Sequence, residues 1–170
     1  LGVGILGGIF GLSFETLLPI FADTILSGDV YTYSTLLLAA GIGGVVGTIF
    51  LAAFGSTQNA RAIQITVGIG MGLGLIGFSQ AGWLPVAVVV IALVGSFTVT
   101  FLTINNSIIQ TVVAEEFRGR VMSLHQFTWG SMAIGGLLMG IFSELWGADT
   151  ALMIGGVVTA SGTLLIHRLI

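Results

Sequence analysis

Long apolar runs separated by short polar stretches make up the whole chain of 170 residues. At ~1.5 Å of rise per residue, runs of about 20 residues in a helix cross the ~30 Å hydrocarbon core of a bilayer. We therefore predict an all-α membrane protein, with one bundle of six transmembrane helices over residues 1–170. The predicted spans are residues 2–26, 34–54, 62–80, 85–113, 121–145 and 151–166.

The composition supports a membrane location and excludes several classes of function. Charged residues make up 6% of the chain, against about 25% in soluble proteins, so it has too little polar surface for a water-soluble globule. The chain has no cysteine and carries a net charge of −3 with four basic residues. We expect no metal site, no cofactor and no nucleic-acid partner.

Small residues recur every four positions in two of the predicted spans. Gly43 and Gly47 lie in the second span, and Gly136 and Gly140 lie in the fifth. In lipid, this spacing lets another helix approach to backbone contact. We predict helix packing at these four glycines.

The arginines indicate the orientation of the chain. With six spans, Arg61, Arg118, Arg120 and Arg168 all fall on the side that carries both chain ends. Because cytoplasmic loops are enriched in basic residues, this side is predicted to be cytoplasmic. We expect a multi-pass protein of the inner (plasma) membrane.

Five residues between the fourth and fifth spans carry charge or allow a turn: Glu115, Glu116, Arg118, Gly119 and Arg120. Each such charge costs roughly 2.5 to 3.5 kcal/mol at the bilayer centre. We predict that residues 114–123 form a solvated turn at a cytoplasmic gate. Adjacent exposed carboxyls lack the different surroundings that an acid and base pair needs, so we do not expect an enzyme.

Glu15 is an acidic residue inside the first apolar run, four positions before Pro19. Proline has no amide hydrogen to bond the Glu15 carbonyl. A carboxyl at this depth could hold a proton in a closed cavity and release it in a water-filled one, so Glu15 is a candidate for proton coupling. Alternatively, Glu15 fixes packing through a hydrogen bond to Ser13, to Thr16 or to an amide of the fourth helix.

Polar residues also crowd the second half of the fourth span. Thr103, Asn106 and Gln110 share one helical face, with Asn105 beside them. Polar side chains at this depth face protein or water rather than lipid. We predict that they line a cavity together with Gln126, at the start of the fifth span.

The sequence Asn105-Asn106-Ser107-x-x-Gln110, followed by residues 115–124, resembles the end of the tenth span and the start of the eleventh in bacterial major facilitator superfamily exporters. The similarity is greatest to the branch that includes enterobactin exporters and macrolide efflux permeases. Residues 17–26 and 36–47 resemble that branch's seventh and eighth spans.

The resemblance implies the C-terminal half of a twelve-helix transporter, built from two inverted three-helix repeats. Its helices one, two, four and five would line the cavity, and helices three and six would be peripheral. The expected function is proton-driven efflux, as an antiporter, of a small, partly apolar compound by alternating access. The partner would be the N-terminal half, which this segment lacks.

Two other interpretations remain open. The chain could be a half-size transporter that works as a homodimer, since repeat-built transporters need a second half. It could also be a membrane assembly protein that binds a partner and transports nothing. An ionisable group at the depth of Glu15 is unusual for a passive bundle.

Overall fold

The computed structural model describes residues 7–55 and 59–169, and within these ranges the ordered elements are all helical. An N-terminal segment consists of a π-helical turn (Gly7–Gly11), a 3₁₀ turn (Ser13–Thr16) and a short helix, α1 (Leu18–Thr24). Five long helices follow: α2 (Val30–Phe54), α3 (Ala60–Ser79), α4 (Leu84–Val112), α5 (Glu115–Trp146) and α6 (Ala148–Leu169).

Four helices of the described part are long and apolar enough to cross a membrane. These are α2, α3, α4 and residues 148–168 of α6. Among the described side chains of α5, an apolar stretch covers Gly130–Trp146. The all-helical membrane architecture agrees with the prediction from sequence. The predicted fifth span lies within the single helix α5, whereas the described part of the first span is divided into separate helical pieces.

The predicted first span is broken in the structure. The Leu17 amide donates to the Phe14 carbonyl at 2.9 Å, which closes the 3₁₀ turn, and the Phe21 amide donates to the Leu17 carbonyl at 2.8 Å, which begins α1. Pro19 therefore lies in the first turn of a new helix, where a missing amide costs no hydrogen bond. The described part of the predicted span 2–26 is thus divided into separate helical pieces, and Pro19 lies just after one of the divisions.

The predicted turn over residues 114–123 is also much shorter in the structure. Helix α5 begins at Glu115, and the Phe117 amide donates to the Ala114 carbonyl at 3.0 Å. Negative side chains in a first turn interact favourably with the helix dipole, which explains why Glu115 and Glu116 start a helix. Both side chains are exposed, as are Gly119 and Arg120.

One polar turn lies at the start of α2, and another lies at the end of α5. The Asp29 carboxylate caps α2 by accepting the amides of Tyr31 at 3.0 Å and Thr32 at 3.2 Å. Helix α5 ends at Gly147, whose φ of 93° is readily adopted only by glycine. The first turn joins the short helix α1 to α2, and the second joins the long helices α5 and α6.

Helices α2 and α4 pack through small residues. A Cβ added to Gly43 would overlap the Ala92 carbonyl, and one added to Gly95 would overlap the Ala40 carbonyl. A Cβ on Gly47 would lie 2.5 Å from the Ser96 carbonyl oxygen. The two backbones are therefore in direct contact at the crossing, as small residues allow.

Helix α3 lies between α4 and α6. Its glycines occupy two faces: a Cβ on Gly72 would lie 2.5 Å from the Gly156 carbonyl of α6, and one on Gly70 would lie 3.0 Å from the Phe97 ring of α4. Close approach on both sides packs α3 tightly within this chain. Three of its large side chains are fully buried: Met71, Leu75 and Phe78.

The N-terminal segment packs chiefly against α5 and α6. A Cβ on Gly135 of α5 would overlap the Ile9 carbonyl and the Ser13 hydroxyl, and one on Gly136 would lie 3.0 Å from the Thr16 methyl group. Further along the segment, the ring centroid of Phe21 lies 4.4 Å from that of Phe78 on α3. The segment is thus anchored on one side and uncovered on the other.

Candidate functional site

Glu15 lies on the uncovered side of the N-terminal segment. It is exposed, as are Thr16 and Pro19, whereas Leu17 and Leu18 are fully buried in the bundle. Among the described residues, no hydrogen bond or ion pair to the Glu15 carboxylate is found. The alternative in which Glu15 bonds Ser13, Thr16 or an amide of α4 is therefore wrong, and the place of Glu15 in a cavity stays a prediction.

Ser13 faces the other way and has a structural role. It is fully buried, and its hydroxyl lies 3.2 Å from the carbonyl oxygens of both Gly8 and Met132. The second contact ties the N-terminal segment to α5. Thr16 donates to the Ser13 carbonyl at 2.6 Å, so both hydroxyls near Glu15 satisfy backbone groups.

The polar half of α4 divides into two faces. Thr103 and Gln110 are exposed and Asn106 is half-buried, so the predicted stripe lies on a side of α4 that this chain leaves uncovered. The Thr103 hydroxyl donates to the Val99 carbonyl of its own helix at 2.8 Å. Asn105, by contrast, is 3% exposed and faces the interior.

Asn105 forms a polar contact between α3 and α4. The Gln64 Nε2 donates to the Asn105 Oδ1 at 3.0 Å, whereas the Asn105 Nδ2 is buried without a partner among the described residues. Asn105 thus does not face a cavity beside Asn106. The sequence prediction omitted Gln64, although a glutamine inside an apolar run is itself a signal of an interhelical hydrogen bond.

A crevice of about 540 Å³ opens between α2, α3 and α4. Its lining comes from residues 46–55 of α2 and its end, residues 59–67 at the start of α3, and residues 96–100 of α4. The lining side chains are mostly apolar and none of them is ionisable. Volumes of this size are typical of small-molecule sites. The prediction from sequence included Gly47 but not Ser96 or Thr100.

The remaining predicted residues are dispersed. Gln126 is exposed on α5. A Cβ on Gly140 would have nothing within 4 Å, so the packing expected at Gly140 is not found. The side chain of Arg118 lies outside the described part of the structure, and the described residues contain no cluster of histidine, aspartate and glutamate that could hold a metal ion.

Comparisons with known proteins give a family and one distant relative. A family model described as "Transmembrane secretion effector" matches residues 3–170. The staphyloferrin A transporter of Staphylococcus aureus (strain NCTC 8325 / PS 47) is 24% identical over 157 residues, which cover 92% of this chain and 39% of that protein. The chain thus spans about two fifths of the length of this relative. No solved structure matches the chain significantly.

Proposed function

The chain belongs to the transmembrane secretion effector family of the major facilitator superfamily, and on this basis we propose that it forms the C-terminal half of a proton-driven exporter of partly apolar compounds. Both family and relative point to transport rather than catalysis. A half of a twelve-helix transporter would span a minor part of its relative's length, as this chain does.

The exposed, unpaired carboxylate of Glu15 carries this proposal. It lies midway along an N-terminal segment whose other face is buried against α5 and α6. A carboxylate facing lipid at that depth would be costly, so this face is expected to meet water or a second protein half. The uncovered polar face of α4, with Thr103 and Gln110, supports the same interpretation.

In the proposed mechanism, the two halves rock about a site near the bilayer midplane and expose it to each side in turn. Glu15 accepts a proton when the cavity is open outward and releases it when the cavity is open to the cytoplasm. The compound leaves the cytoplasm in exchange. Both ends of this segment, with Arg61 and Arg168, would be cytoplasmic.

A matched pair of variants tests the coupling role. Glu15→Gln keeps size and hydrogen bonding but cannot ionise, and Asp23→Asn makes the same change at an exposed position nearer the end of α1. The full-length proteins are assayed in everted membrane vesicles with an imposed proton gradient. Erythromycin and staphyloferrin A serve as probes, chosen from the resemblance and from the relative's name.

We expect the unmodified protein and Asp23→Asn to accumulate at least one probe when the gradient is present. Glu15→Gln should lose gradient-driven accumulation but keep downhill exchange of the same probe. Full gradient-driven accumulation by Glu15→Gln would rule out its coupling role. Gradient-independent accumulation by the unmodified protein would refute proton-driven efflux itself.

A further inference from the structure

Most helical serine and threonine hydroxyls in the described structure donate to a carbonyl one turn earlier in their own helix. Threonines on four long helices show this pattern: Thr48, Thr66, Thr103, Thr111, Thr159 and Thr163. Ser96 and Thr100 on α4 are different, because neither hydroxyl has a hydrogen-bond partner among the described residues. Thr100 is nevertheless only 7% exposed.

The two unpaired hydroxyls converge on one point of the crevice. A Cβ added to Gly47 would lie 2.6 Å from the Ser96 Oγ and 2.8 Å from the Thr100 Oγ1. Ser96 and Thr100 are one helical turn apart, so both hydroxyls lie at the inner end, where α2 and α4 cross. Because residue 47 is glycine, the α2 backbone packs directly against both hydroxyls, which also line the crevice.

Aromatic side chains lie nearer the mouth of the crevice. The rings of Phe50 and Phe54 on α2 have centroids 4.8 Å apart, and both residues are exposed. Phe97 of α4 completes the aromatic part of the lining. The crevice thus has an apolar mouth and two hydrogen-bond donors at its inner end, and an ionised group inside it would have no counter-charge.

We propose that this crevice binds a compact, uncharged aromatic molecule whose carbonyl oxygen accepts hydrogen bonds from Ser96 and Thr100. Its rings would pack against Phe50, Phe54 and Phe97. The site lies within this chain and is bounded by α3, so it is separate from the surface around Glu15. The inference does not depend on proton coupling.

A phospholipid acyl chain fits the crevice less well. An acyl chain would enter with its terminal methyl group first and would leave both inner hydroxyls unpaired. A ketone, ester or amide of an aromatic compound satisfies the hydroxyls and the apolar walls together. The presence or absence of a carbonyl is therefore the property to vary in a test.

The test uses photolabelling of the purified full-length protein with tritiated benzophenone, a neutral diaryl ketone. Labelled peptides are identified by mass spectrometry, and the label is expected in residues 46–51 and 96–100, because benzophenone forms its new bond at the carbonyl carbon. Two rigid competitors of nearly the same shape are compared: fluorenone carries a carbonyl group and fluorene does not. Fluorenone should suppress labelling at concentrations about tenfold lower than fluorene, the ratio for loss of two modest hydrogen bonds.

Variants test whether the preference for fluorenone depends on the two hydroxyls. Ser96→Ala combined with Thr100→Val should remove the preference for fluorenone, whereas Thr103→Val, which alters an exposed, back-bonded hydroxyl, should keep it. Glu15→Gln should label normally, so loss of transport in that variant does not bear on this site. Equal competition by fluorene and fluorenone in the unmodified protein, or label spread evenly over all helices, would overturn the proposal.

Discussion

Because α2 packs on α4, substitution of two glycines that are two residues apart should affect the stability of the protein differently. A Cβ on Gly43 would overlap the carbonyl oxygen of Ala92, whereas a Cβ on Gly41 would meet nothing within 4 Å. The substitutions Gly43→Ala and Gly41→Ala therefore make the same chemical change on the same helix, and they differ only in what the new methyl group meets.

The expected magnitudes follow from this geometry. At Gly43 the helices must separate, and overpacking of this kind costs roughly 1 to 3 kcal/mol. Alanine recovers about 0.8 to 1 kcal/mol of helix propensity at both positions. Gly43→Ala should thus be destabilised by up to about 2 kcal/mol, a fall in Tm of roughly 4 to 8 °C for a protein of this size. Gly41→Ala should be unchanged or slightly more stable.

Thermal unfolding of both purified variants in the same detergent, followed by helical circular dichroism, measures the difference. Gly95→Ala offers a check from the opposite helix, since its methyl group would overlap the Ala40 carbonyl. It should destabilise the protein like Gly43→Ala. A Tm for Gly43→Ala equal to or above that of Gly41→Ala would refute backbone contact between α2 and α4.

Three other predictions concern a cap, a buried polar pair and the topology. Asp29→Ala removes the cap of α2 and should destabilise the protein by about 1 kcal/mol, measured as a lower Tm. Gln64→Leu leaves the buried Asn105 amide wholly unpaired. In a double-mutant cycle, the variant with both Gln64→Leu and Asn105→Leu should therefore lose less free energy of unfolding than the two single variants lose together. With impermeant thiol reagents, a cysteine at Ser27 should react only from outside the cell and one at Asn59 only from inside; labelling from one side would contradict the proposed topology.

The apolar pattern predicted the central helices well because burial in lipid depends on residue type and length. The predicted spans 34–54, 62–80 and 85–113 correspond to α2, α3 and α4 with ends within a few residues, except that α2 starts earlier, at Val30. Its earlier start follows from the Asp29 cap. Such a cap is a local hydrogen bond that hydropathy does not measure.

The same pattern could not locate helix ends where the chain leaves the apolar region. Hydropathy changes sharply near Val121, but α5 begins at Glu115, because charged residues are compatible with a helix wherever water can solvate them. Conversely, residues 2–26 are mostly apolar, whereas the described part of this run changes helix type at Leu12 and Leu17. An apolar run indicates what is buried, not whether one helix continues through it.

Interhelical partners were beyond prediction from a single sequence. Asn105 and Gln64 are separated by 41 positions, and nothing in the spacing of either helix indicates that they meet. Without that contact, Asn105 and Asn106 looked equivalent. The free hydroxyls of Ser96 and Thr100 were equally hidden, since a helical threonine normally bonds to its own backbone.

The two faces of α4 explain why neighbouring polar residues should respond differently to mutation. Asn105 lies on the covered face, where loss of its hydrogen bond to Gln64 leaves a buried amide unpaired and lowers stability. Thr103 and Gln110 lie on the uncovered face, where both side chains are exposed among the described residues. If a substitution of Gln110 impairs transport without changing Tm, the uncovered face contacts the transported compound or the partner half. A substitution of Asn105 should instead impair transport only as far as it lowers the amount of folded protein.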